Sequence, residues 1–192
     1  MNSNQEILIR IAEALERISP NLDKKIDLNK SDGFVYEAHL KNIKPIIKIS
    51  RIPINLLKGL ENQKEILLKN TENFANGLPA NNALLWGAKG TGKSSLVKSV
   101  HAEIIANSSN KIKLIEIHRE DIINLPYLLS KLAEYVNYKF ILLCDDLSFD
   151  AGENTYKSLK SVLDGGIEGK PNNIVFYATS NRRHLMPRDM IE

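Results

Sequence analysis

The densest chemistry in the chain is carried by Gly87-Ala88-Lys89-Gly90-Thr91-Gly92-Lys93-Ser94, which fits the pattern G-x-x-x-x-G-K-[S/T]. Glycines let the backbone turn tightly, so that successive N–H groups can point at one polyphosphate. A helix opening at Lys93 adds the positive end of its dipole. Lys93 suits neutralisation of the β- and γ-phosphates, and the Ser94 hydroxyl suits ligation of magnesium. Ser95, next in the first helical turn, is counted with the loop. The chemistry is that of a nucleoside triphosphate, with ATP and Mg2+ as the expected pair.

A second signal lies in Phe140-Ile141-Leu142-Leu143-Cys144-Asp145-Asp146. An apolar strand that ends in two adjacent carboxylates is unusual, because burying an uncompensated charge is costly. Magnesium and an attacking water account for both: Asp145 would hold the metal through its hydration shell, and Asp146 would polarise the nucleophile. A solvated loop start is the plain alternative. The third signal is Ala178-Thr179-Ser180-Asn181, polar residues at a strand tip, where open parallel sheets place their ligands. The Asn181 amide could orient the water or touch the γ-phosphate; an ordinary turn is the competing reading.

Asn29-Lys30-Ser31-Asp32 fits N-K-x-D, the guanine-reading motif of GTPases. The preceding Lys24 to Leu28 is a poor buried strand and no D-x-x-G is present, so this segment reads as a polar turn ending at Gly33. His39, His101, His118 and His184 have no ligand spacing and read as surface or helix-face residues.

The elements that must position these residues alternate. Ala83–Trp86, Lys113–Ile117, Phe140–Cys144 and Ile174–Ala178 read as strands, and helices are expected over Glu61–Phe74, Lys93–Ala106, Pro126 to about Val136, and Glu153–Leu163. Strands separated in this way imply right-handed crossovers, hence a three-layer α/β fold with a parallel sheet. Upstream, Ile7, Ile11, Leu15 and Ile18 mark a helix closed by Ser19-Pro20. Phe34, Tyr36, Ala38 and Leu40 alternate as one strand, and Ile47 and Ile49 suggest another. A boundary near Pro53 divides a small α/β N-terminal region, 1–53, from the nucleotide-binding core, 54–192.

The bulk numbers fit this reading. The chain has 192 residues, 43% hydrophobic, with a formal charge of +3 from 26 basic and 23 acidic residues, a balance too mild to argue for nucleic acid. Lys41, Lys44, Lys48 and Arg51 could form a basic strip, although a solvated strand face explains them equally well. Cys144 is the lone cysteine, so no internal disulfide forms and a reducing cytoplasm is expected. No segment reaches the length of a membrane span.

The stretches LLWGAKGTGKSSLVK, FILLCDDLSF, YKSLKSVLDGG and YATSNRRHLMP, within Asn81 to Pro187, resemble a bacterial family of predicted AAA+ ATPases classed as a domain of unknown function; QKEILLKNTENF upstream is similar too. The resemblance implies a P-loop NTPase core of AAA+ type, with Gly87–Ser94 as Walker A, Asp145 as the Walker B metal ligand, Asp146 as the catalytic carboxylate and Asn181 as sensor 1. Most AAA+ enzymes carry glutamate where Asp146 stands. Leu57 to Leu60 would fall near the adenine pocket. The implied strand order is 5-1-4-3-2. A fifth strand, an arginine finger and a helical lid would follow Met186-Pro187, yet the sequence stops at Glu192; Arg182, Arg183 and Arg188 do not match the finger position. Without strand five, Ala83–Trp86 is expected at an open edge.

Three functions are then open. One is an ATPase, impaired in hydrolysis without the lid, that remodels an unknown protein partner as a homo-oligomeric ring. Another is a nucleotide-binding regulatory or adaptor module with little turnover. The third is a helicase-loader-like partner of DNA.

Overall fold

A computed structural model describes residues 3–18, 26–107, 111–149, 156, 159–160, 163, 171–183 and 185. Alternating apolar positions build the sheet, and helical periodicity covers its two faces. In chain order the elements are α1 (Ser3–Ile18), β1 (Gly33–Glu37), β2 (Asn42–Pro45), α2 (Glu61–Ala75), β3 (Ala83–Trp86), α3 (Lys93–Asn107), β4 (Ile112–Ile117), α4 (Leu125–Ala133), β5 (Lys139–Cys144) and β6 (Ile174–Ser180). Single 3-10 turns lie at Ala38–Leu40 and Ile54–Leu56, and a longer one at Arg119–Asn124 runs into α4. Of the helix expected at Glu153–Leu163, only Tyr156, Leu159, Lys160 and Leu163 belong to the described residues, and these are helical.

The sheet order is β2-β1-β4-β5-β6-β3. All pairings are parallel except β1 with β2. The run β3-β6-β5-β4 reproduces the expected 1-4-3-2 order, with β3 at an edge where Trp86 and Leu84 are exposed. Beyond β4 the sheet continues into β1 and β2, so the expected boundary near Pro53 falls between two parts of one sheet, not between two sheets.

Strand β5 shows how the layers form. Phe140, Leu142 and Cys144 face one core, shared with Phe34, Ile115 and the α4 residues Leu125, Leu128 and Leu132. Ile141 and Leu143 face the other, shared with Leu67 and Phe74 of α2 and Leu96, Val97 and Val100 of α3. Both faces are covered, which is why β5 is apolar throughout. Burying each such side chain contributes about 1.5–3 kcal/mol.

The N-terminal half corrects two expectations. The alternation through Ala38 and Leu40 does not continue the strand: β1 ends at Glu37, a 3-10 turn follows, and Lys41 takes φ +48 to reverse the chain. The second strand is Asn42–Pro45, not a strand through Ile47 and Ile49. Past Pro45 one more bond joins the strands, from the Ile46 N–H to the Gly33 carbonyl at 2.8 Å, and Ile47 is fully exposed. Helix α1 forms as expected, but Ile7, Ile11 and Leu15 on its apolar stripe are at least half exposed. Helix α4 stops at Ala133, short of Val136, and Asn124 precedes it without a side-chain cap bond. Among the described residues, no helix is long and apolar enough to cross a membrane.

His101 lies on α3 and is fully buried, with Nε2 3.3 Å from the Ile112 carbonyl and Nδ1 3.2 Å from an Arg51 Nη2. Burial holds its imidazolium pKa down at about 4. A folded pKa below the unfolded value near 6.5 means stability is complete above that pH and is lost as pH falls toward 4. The loss attributable to this group should be about 3 kcal/mol. Urea unfolding of the wild type and His101→Gln at pH 7 and pH 4.5 checks this: the variant should show the smaller decline with acid.

Candidate functional site

The residues expected to do chemistry converge at the carboxyl ends of β3, β5 and β6. Gly87 follows β3 directly, and its N–H donates to the Ser180 carbonyl on β6 at 3.1 Å, pinning the start of the loop to the sheet. Gly90 and Gly92 take φ +81 and +85, left-handed backbone that a side chain would strain. A Cβ at Gly92 would also sit 3.5 Å from Leu57 and Leu60 side-chain atoms. Those two leucines, placed near an adenine pocket by the resemblance, form an apolar wall against the loop.

A cleft of about 350 Å³ is lined by Lys89, Gly90, Gly92, Lys93, Ser94 and Ser95 on one side and by Asp145, Asp146, Thr179 and Asn181 on the other. Gly87, Ala88 and Thr91 are not part of this lining. Lys93 Nζ donates to the carbonyls of Gly87 at 2.9 Å and Ala88 at 2.8 Å, and Thr91 Oγ1 donates to the Ala88 carbonyl at 2.9 Å. Lys93 Nζ also reaches Asn181 Oδ1 at 3.1 Å. The Asn181 amide in turn donates to Asp146 Oδ1 at 2.6 Å. One polar chain thus runs from the loop lysine through the β6 tip to the second carboxylate.

Asp145 Oδ1 accepts hydrogen bonds from the Ser94 hydroxyl and the Thr179 hydroxyl. Burial raises its pKa, but the bonds from Ser94 and Thr179, the Lys98 charge and the Asp146 N–H outweigh that, leaving the carboxyl below its ordinary value. Asp145 is therefore an anion at neutral pH. Asp146 follows in a left-handed conformation, φ +53, uncommon for a residue with a side chain. Its N–H donates to Thr179 Oγ1 at 3.0 Å. Cys144, one residue earlier, is buried, and burial pushes its thiol up to about 12, so it takes no part as a nucleophile.

Thr179 is the contributor that sequence reasoning missed. It reads as one polar residue of the β6 tip, yet its hydroxyl links both carboxylate residues. The pairing Cys144↔Ala178 sets Thr179 beside Asp145, a relation between residues 34 apart that only the register reveals. Of the arginines that do not match the finger position, Arg182 donates its N–H to Ser180 Oγ at 3.1 Å and the Arg183 guanidinium lies 5.3 Å from the Trp86 ring; neither lines the cleft. Arg188 and His184 lie outside the described residues.

The N-K-x-D segment stands elsewhere. It precedes β1, at the amino ends of the strands, and Asp32 bonds Lys113 Nζ at 3.0 Å. It cannot read a base held at the glycine loop. The basic strip divides: Lys41 packs over the Tyr127 ring at 5.1 Å and Lys44 faces Glu37 at 3.8 Å, while Lys48 and Arg51 line one cleft at the amino ends of the strands.

The donor set in the cleft is hard and oxygen-rich. The Ser94 hydroxyl and the Asp145 carboxylate, meeting at one point of a cleft that Lys93 also lines, fit a small hard divalent cation. Soft or nitrogen ligands suited to zinc are not gathered there.

Among solved structures, a Rhizobiales Trip13 is 18% identical, with a TM-score of 0.52 over 68% of this chain. An E. coli MS115-1 HORMA:CdnC:Trip13 complex gives 14% identity and a TM-score of 0.49 over 67% of this chain and 57% of the matched one. A Thermotoga maritima RuvB gives 16% and 0.46 over 72% and 44%. The chain spans 57% of the length of the Rhizobiales protein. No curated protein sequence matches it. Residues 29–192 match the profile of a family described as "Protein of unknown function (DUF815)". With that match over most of its length, the chain belongs to the DUF815 family of unknown function, and its parallel α/β fold with a glycine loop between β3 and α3 is similar to that of the Rhizobiales Trip13.

Proposed function

We propose that the chain binds ATP with Mg2+ at Gly87–Ser95 and hydrolyses it, coupling turnover to the remodelling of a protein partner within a homo-oligomeric ring. The observation that carries this reading is the meeting of Ser94 and Asp145, residues 51 apart in sequence, through a direct hydrogen bond. Ser94 and Asp145 would need that juxtaposition to hold one divalent cation between them.

In this reading the loop N–H groups and Lys93 bind the β- and γ-phosphates, exchanging the loop carbonyls now held by Lys93 for phosphate oxygens. Ser94 and Asp145 would hold Mg2+, which when bound supplies charge neutralisation on the phosphates. Thr179 orients Asp145. Asp146 accepts a proton from the attacking water, and Asn181 positions that water or the γ-phosphate. Aspartate is shorter than glutamate by one methylene, so the water must approach the β5 tip more closely. Leu57 and Leu60 would offer an apolar wall to the base.

One observation favours a second reading, a nucleotide-binding adaptor with little turnover. Asp146 is already engaged by Asn181 at 2.6 Å, and if that bond persists with nucleotide present, the carboxylate is withheld from water. A DNA-loading role draws no such support, since Lys41 and Lys44 of the expected basic strip are engaged by Tyr127 and Glu37.

Saturating ATP and Mg2+ should raise Tm by about 5 °C or more, as expected for ligand near 100-fold above Kd acting on a chain of this size. Lys93→Ala should abolish the shift in a differential scanning fluorimetry series; an equal shift in that variant sinks the assignment of the loop. Asp146→Asn should lower phosphate release by about 100-fold while the shift persists. Wild-type protein that shows the shift but releases no phosphate supports the adaptor reading instead. Thr179→Val removes the hydroxyl that orients the Asp145 carboxylate, so the Mg2+ concentration giving half of the thermal shift should rise about tenfold or more.

A further inference from the structure

A second cleft, about 620 Å³, lies at the amino ends of the strands, the end of the sheet opposite the glycine loop. Its walls are Lys30, Ser31 and Asp32 before β1, and the segment from Ile47 to Arg51 after β2. Three cations therefore face one carboxylate. That carboxylate is already matched, because Asp32 bonds Lys113 at 3.0 Å. Lys30 has only a loose contact with Asp27 at 3.9 Å. Among the described residues, Lys48 and Arg51 have no carboxylate at ion-pair distance.

Arg51 is fixed in an unusual way. Its Nη2 lies 3.2 Å from His101 Nδ1, while His101 Nε2 faces the Ile112 carbonyl at 3.3 Å. A carbonyl only accepts, so Nε2 carries the ring proton and Nδ1 offers its lone pair to the guanidinium. Burial keeps that imidazole neutral at pH 7. The arginine is held in place by a partner that does not cancel its charge. Its Nε is shielded from solvent and has no acceptor among the protein atoms. That atom is closed to the cleft as well, so the guanidinium serves the cleft as a fixed, uncancelled positive charge, which suits a phosphate oxyanion.

We propose that this cleft binds a phosphate-bearing small molecule, its oxyanion held by Arg51 together with Lys48 and the Ser50 hydroxyl. The volume falls in the range of about 300–1,000 Å³ common for small-molecule sites. The site is separate from the glycine loop, and its existence does not depend on what that loop binds. Both clefts nevertheless touch α3: Lys93 and Ser94 open the helix, and two turns later His101 holds Arg51 and Ser99 Oγ bonds the Ile52 carbonyl at 2.5 Å.

The test follows the Arg51 side chain directly. In a 1H–15N spectrum of the full chain, the Arg51 Nε–H cross-peak is identified by its loss in Arg51→Lys. Inorganic phosphate and glycerol phosphate are titrated in turn at constant ionic strength, with chloride as the exchanged anion. A saturable movement of that peak is expected with each, with Kd of about 1 mM or tighter, and about fivefold weaker in Lys48→Gln. Lys93→Ala should titrate like the wild type, which separates this site from the glycine loop. Tighter binding of glycerol phosphate than of inorganic phosphate assigns an organic phosphomonoester, and equal binding assigns recognition of the phosphate group alone. A peak that stays still or drifts linearly to about 20 mM overturns the proposal. So does an unchanged titration in Lys48→Gln, or exclusion of the monoester.

Discussion

One carboxylate oxygen, Asp145 Oδ1, receives hydroxyl protons from two different elements, Ser94 on α3 and Thr179 on β6. Bonds from both hydroxyls favour the ionised form of this strand-end carboxylate and offset what desolvation costs it. They also hold three pieces of chain in one place: the start of α3, the end of β5 and the end of β6. The sheet order makes this possible, since β5 and β6 are direct neighbours and β6 adjoins β3, which launches the glycine loop. A different order with the same strands would scatter the same residues.

The glycine loop was legible because everything restrictive about it is local. Left-handed backbone, lysine and hydroxyl all fall within Gly87 to Ser94, and the flanking strand and helix have clear periods. The buried strands β4, β5 and β6 were legible for a related reason: continuous apolar runs bounded by polar residues leave few alternatives. Boundaries there moved by one or two residues, as with β6, which continues to Ser180.

What the sequence concealed depends on partners distant along the chain. Thr179 looks like any threonine at a strand tip until register sets it beside Asp145. His101 has no neighbour in sequence to indicate burial; Arg51 and Ile112 enclose it only when α3 packs on the sheet. In the β1–β2 hairpin, alternation carried on past the real end of the strand. There the decisive event is a single left-handed residue, Lys41, at a position where neither glycine nor asparagine advertises a turn. The N-K-x-D match failed by location, as its residues gather at the wrong end of the sheet.

Lys93 is already satisfied within the protein, capping the carbonyls of Gly87 and Ala88 and the Asn181 amide oxygen. An incoming anion therefore meets an occupied donor, and association is an exchange of partners in place of a simple gain. Measured affinity will report the difference between two bonded states, smaller than any sum of new contacts. The same self-pairing makes the lysine a structural member of the loop, so truncating it strips the turn of its internal brace as well as its charge.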